Sequence, residues 1–137
     1  VANDFTNKVM GWSRKAQRNL RYVVKGSTYE FFCRLVDRTP VDTGRARGNW
    51  EITVTSGYKG ESTNYDPNRF DKTGDATKAR AWAVLEEAVG KRAYIVNNTP
   101  YFQYLDKGWS QQAPHGIIQV TVSEFGGIAS GYARKAD

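Results

Sequence analysis

The chain reads as an α+β domain in which a mostly antiparallel sheet is packed by a long N-terminal helix, a central helix and a C-terminal helix. Three observations predict this. Apolar residues recur at three- and four-residue steps through the first thirty-five positions. A β-branched, alternating segment follows at 50–55. A second helical pattern, a short strand and a last helical period then complete the order. With 137 residues, one core is all the chain can build, so residues 1–137 are read as a single domain.

Phe5, Val9, Trp12, Ala16, Leu20, Val23, Phe31 and Leu35 carry the first period. Asn3 and Asp4 are the cap candidates, and Pro40 stops the helix near residue 38. Gly26 and Ser27 weaken it, giving one bent helix or two in line. Thirty-odd helical residues span roughly 50 Å, more than a domain of this size needs, so something else is expected along it. The opposite side carries Arg14, Arg18, Arg21 and Lys25, spaced four, three and four, on one stripe. That stripe is either a solvated face or a surface for DNA phosphate or an acidic subunit. Without a base-reading motif, any contact with DNA would be sequence-blind.

Residues 39–50 combine loop chemistry with a strand start. Pro40 fixes one φ, Asp42 can bond its downstream backbone, and Gly44 can take a left-handed position. Arg45 and Arg47 flank the entry to Trp50–Thr55, where alternation predicts a half-buried strand. Residues 56–75 are polar and aperiodic: a projecting arm, a second hairpin strand near Tyr58, or a surface loop. Ala79, Trp82, Ala83, Leu85, Glu86 and Val89 place a helix over 76–89, capped by Asp75 and ended by Gly90. A strand follows at Ala93–Asn97. Tyr101, Phe102, Tyr104 and Leu105 give one or two helical turns before Gly108. In the last segment Ile118, Val122, Phe125, Ala129 and Tyr132 keep a helical period for four turns. That outweighs the strand propensity of 117–122 and the weakening at Gly126-Gly127.

Composition excludes several functions. The 4 Trp, 8 Tyr and 6 Phe are more than a disordered tail carries. The apolar runs are too short for a transmembrane helix, and charges among the first 25 residues argue against a secretory leader. The expectation is a soluble chain, intracellular or particle-bound. One cysteine, Cys33, makes neither an intramolecular disulfide nor a cysteine-cluster zinc site, and one histidine, His115, removes multi-imidazole schemes. The adjacent Glu86 and Glu87 point apart on a helix, and the glycines fit no phosphate-binding fingerprint. No enzyme activity, cofactor or metal is expected. The charge is lopsided: residues 1–47 carry ten Lys/Arg and four Asp/Glu, net +6, and residues 48–137 carry ten of each. This asymmetry points to a polyanion or acidic surface nearby.

Two segments go further. Thr39-Pro40-Val41-Asp42-Thr43-Gly44-Arg45-Ala46-Arg47 leads to Trp50. Ile95-Val96-Asn97-Asn98-Thr99-Pro100-Tyr101-Phe102-Gln103-Tyr104-Leu105 continues through Gly108-Trp109-Ser110-Gln111-Gln112-Ala113-Pro114 to Gly116. In order and separation they resemble the tail-component family of long-tailed bacteriophages, which includes neck and tail-completion proteins such as the minor tail protein Z group. The resemblance covers almost the full length, with Asp106 where the family commonly has Glu. It implies a structural virion protein at the head–tail junction, made in the host cytoplasm. It further implies a homomeric ring, six-fold favoured and twelve-fold the alternative, that joins head connector proteins to the tail tube or terminator while DNA passes. Membranes have no part in this. Pro40, Asp42, Thr43, Gly44, Arg45, Arg47 and Trp50 become a turn and interface motif. Asn97, Pro100, Tyr101, Tyr104, Gly108, Trp109, Gln112 and Pro114 become an interface loop, with Tyr101 and Tyr104 expected to pack. Arg14, Arg18, Arg21 and Lys25 would touch DNA if they face the lumen. The alternative function is a sequence-nonspecific basic DNA-binding protein.

Overall fold

The first helix, α1 (Ala2–Arg38), is a single run of 37 residues in the computed structural model, which describes residues 2–54 and 65–136 and side chains from Asp4 on. Asn3 and Asp4 therefore lie inside its first turns and are not its cap. It runs unbroken through Gly26, so it is one helix and not two in line. A Cβ at Gly26 would overlap the Tyr132 ring, so glycine stands there for close packing between helices. The helix ends where the Thr39 hydroxyl turns back on the Leu35 carbonyl at 2.7 Å and Pro40 offers no N–H.

The chain continues through a single helical turn α2 (Arg45–Gly48), strand β1 (Trp50–Thr53), helix α3 (Asp75–Ala88) and strand β2 (Tyr94–Asn97). A short α4 (Phe102–Asp106) and helix α5 (Ile118–Lys135) complete it. The α2 turn falls in a stretch expected to be loop. The coarse α+β class holds, but the sheet is not a broad layer: among the described residues it is one antiparallel pair, with Trp50 opposite Asn97 and Thr53 opposite Tyr94. Thr55 and the strand sought near Tyr58 lie outside the described residues.

The core gathers on the C-terminal third of α1. Phe32, Leu35 and Val36 meet Trp50 and Ile52 of β1, Ala81, Leu85 and Ala88 of α3, and Phe102, Ala113 and Ile117. Trp50 stands edge-on to Phe102 at 5.1 Å, a favoured aromatic geometry. On α3 the buried side is Thr77, Ala81, Leu85 and Ala88: of the expected apolar face Leu85 enters the core, Val89 is half-buried, and Ala79, Trp82, Ala83 and Glu86 are exposed. Trp82 instead lies against Tyr29 and Lys25 on the flank of α1. The start of α3 is held by Asp71 in place of Asp75: its carboxylate accepts from the Gly74 and Thr77 amides and the Thr77 hydroxyl. Burial alone would raise the Asp71 pKa, but those bonds, with one from Thr73, outweigh it and hold it low.

The helical reading of the last segment holds. The Asp106 carboxylate accepts from the Ile117 and Ile118 amides at 3.0 and 2.8 Å, satisfying donors that no local side chain reaches. Thr121 then bonds back to the Ile117 carbonyl. The α5 side that meets α1 is Thr121, Glu124, Ile128 and Tyr132, with Phe125 edge-on to Phe31 at 5.5 Å at its margin, while Ile118 and Val122 of the expected stripe stay exposed.

Candidate assembly interface

The two distant motifs fold into one unit. The Gln112 side chain pairs with the Val41 backbone, accepting its N–H at 2.9 Å and donating to its carbonyl at 3.1 Å. Asn97 donates to the Ala46 carbonyl and accepts from the Thr99 amide. Its side chain thus bridges strand and turn, and among the described residues only glycines have positive φ. Between the motifs lies a groove of about 380 Å³, bounded by Pro40 to Ala46 on one side and Tyr101, Leu105, Ser110 and Gln112 on the other.

Within this unit the residues divide into scaffold and surface. Gly44 has φ 88°, and a Cβ there would meet the Lys72 amide at 2.7 Å. Its carbonyl accepts from Gly48 and Asp71. Asn49, buried, donates to the Arg45 and Asp66 carbonyls and accepts from the Asp66 amide. These bonds fasten residues 66–72 to the turn, so this half of the expected polar loop is a built bracket. Arg47 is not displayed to a partner: its guanidinium donates to the carbonyls of Asp37, Thr39 and Lys72 and closes the turn. Arg45 stacks over Phe70, which is exposed.

The aromatic residues of the second motif also exchange roles. Phe102 is the buried anchor, whereas Tyr101 and Tyr104, expected to pack, are exposed. Tyr104 lies 4.6 Å from the Trp109 ring, and Trp109 is 72% exposed at the loop tip. Pro100 and Pro114 are exposed as well. The unit thus sets exposed aromatics, Tyr101, Tyr104 and Trp109, beside a turn cross-linked by side-chain hydrogen bonds.

The basic stripe is divided by α3. Arg21 and Lys25 both pair with Glu86, and Lys25 also covers the Trp82 ring. Lys25 and then Arg21 hold the Glu86 carboxyl below its ordinary pKa. Arg14 and Arg18 lie beyond the end of α3 and make no ion pair among the described residues. The other side of α1 is more conspicuous: Phe5, Trp12 and Leu20 are 68%, 67% and 64% exposed. On α5, Ile118, Val122 and Phe125 are exposed too.

No family model, curated protein or solved structure matches the chain. Among the described residues, no three His, Cys, Asp or Glu side chains are grouped so as to hold a metal ion, and no helix is long and apolar enough to cross a membrane. Arg34, next to Cys33, pairs with Glu30 and Glu124, and burial pushes the Cys33 thiol up. His115 is an exposed turn residue.

Proposed function

We propose that the chain is a structural subunit of a long-tailed bacteriophage particle. It acts at the head–tail junction, where copies close into a ring that joins head connector to tail and leaves a channel for DNA. The motif resemblance supplies the class. The observation that carries the reading is the bare half of α1: about five turns of helix stand clear of the core with a regular apolar stripe facing water. An exposed apolar patch of this extent marks a contact surface, and burying each large side chain contributes about 1.5–3 kcal/mol. A free helical extension of that length has nothing of its own domain to pack against.

The joined motif face, with Trp109, Tyr101 and Tyr104 outward, gives a second contact surface suited to neighbouring virion proteins. A ring subunit needs both: one set of contacts to its copies, another to the layers above and below. The alternative of a free DNA-binding protein is less favoured, because Glu86 occupies two of the four stripe cations. Electron microscopy of the purified chain at raised concentration, with antibody labelling of virions, tests the proposal. Rings in solution and label at the neck are expected. A chain that stays monomeric and is missing from particles removes the reading.

A further inference from the structure

Along α1, Arg38, Arg34, Glu30, Ser27, Val23, Leu20, Ala16, Trp12, Val9 and Phe5 fall at steps of three and four and make one continuous ridge. Helix α5 covers only the lower part of it. Thr121 and Glu124 reach Arg38, Glu124 reaches Arg34, and Tyr132 reaches Glu30. The last aromatic contact is Tyr132 with Tyr22, at 5.7 Å between ring centroids, and α5 ends at Lys135. Above that point the ridge turns wholly apolar and has no cover among the described residues. An established helix–helix interface is thus continued by four turns of the same surface with no second helix.

The missing surface is present elsewhere on the molecule. Ile118, Val122, Phe125 and Ala129, at steps of four, three and four, form an apolar stripe on the flank of α5; Phe125 meets Phe31 of α1 with one edge, Ala129 is half-buried, and Ile118, Val122 and the outer side of Phe125 are exposed. We infer that the free half of α1 from one copy lies along this α5 flank of a second copy. This deepens the ring reading and rests on it.

Charge selects α5 over a second α1. Residues 4–25 carry six Lys/Arg and one Asp, net +5, so pairing two such segments would bring +5 beside +5. Between Ile118 and Ala133 the one ionised side chain is Glu124, and it faces α1, matched there by Arg34 and Arg38. The flank from Ile118 to Ala133 therefore sets no cation against a basic helix, and the two of α5, Arg134 and Lys135, lie in its last turn. Two unlike surfaces can pair reciprocally in a two-fold dimer or head-to-tail; under the ring reading the contact is head-to-tail, each copy giving its α1 to one neighbour and receiving α1 from the other. Contacts of this kind propagate until the rotation closes them into a ring.

The experiment uses the full chain on a Cys33→Ser background. Trp12→Cys protein is mixed with Val122→Cys protein under mild oxidation, and sedimentation velocity is run on Trp12→Glu and Val122→Glu. Both positions are exposed, so the folded monomer should survive, which circular dichroism checks. Mixed Trp12→Cys/Val122→Cys dimers are expected in at least tenfold excess over either homodimer, and each Glu variant alone should abolish self-association. Self-association that persists in Val122→Glu, or Trp12→Cys pairing with itself, would overturn this contact and leave the ring reading standing. A wild-type chain that never associates would remove both.

Discussion

Trp50 Nε1 donates to the Thr39 hydroxyl at 2.7 Å, and that hydroxyl donates to the Leu35 carbonyl, in a pocket that solvent does not reach. One side chain thus ends α1 and satisfies the indole at the centre of the core. Thr39→Val leaves the indole N–H buried without its acceptor, and urea unfolding should show a loss of about 1–3 kcal/mol. Glu124 governs a different property. Bonds from Arg38 and then Arg34 outweigh its desolvation and bring its pKa down to about 2 from the ordinary 4.5. A depressed carboxylate contributes stability above its unfolded pKa and loses it as pH falls through the folded one. The difference in thermal midpoint between wild type and Glu124→Gln should therefore be constant from pH 7 to about 5. It should shrink from about 4.5 and vanish near 2.

Helices and turns in this chain are set by contacts of opposite tolerance. Gly44 sits at a positive φ with backbone atoms of Asp71 and Lys72 within 2.8 Å of where a Cβ would stand. Gly44→Ala should lower stability by about 1–3 kcal/mol from backbone strain, read as a fall in denaturation midpoint. Gly127 is also a glycine but lies mid-helix on α5 with open space around it. Gly127→Ala should raise monomer stability by about 0.5–1 kcal/mol and leave self-association unchanged, since it lies away from the Ile118–Val122–Phe125 stripe.

Taken whole, the molecule divides at about Tyr22 into a packed domain and a projecting rod. The core draws on no α1 residue before Phe32, and partly buried support begins at Tyr29. A helix of 37 residues is about 55 Å long, against an expected radius of gyration of about 14 Å for a globule of this chain length. Removing residues 1–18 should therefore cost less than about 1 kcal/mol of monomer stability, a thermal shift of only a few degrees. The same truncation should eliminate ring formation in sedimentation. A chain that unfolds on this truncation would mean that the rod belongs to the core.

Periodicity, turn chemistry and the proline stop were legible in the residues themselves. They depend on neighbours three or four positions away, so α1, α3, β1, β2, α4 and α5 could be read as elements before any contact was known. The pairing of the two motifs was suggested by their order, but Gln112 on Val41 and Asn97 on Ala46 are contacts across 71 and 51 positions that no local pattern encodes. Which apolar stripe meets the core was legible only in part: Phe31, Leu35 and Leu85 of the expected faces do meet it. Phe5–Val9–Trp12 keeps a helical period yet faces solvent, and of Ile118–Val122–Phe125 only Phe125 reaches α1, through Phe31. A period fixes that a face exists, whereas its partner depends on where the other helices end. Helix α5 stops opposite Tyr22 and α3 opposite Arg21, and only the tertiary arrangement shows that the rod beyond them is bare.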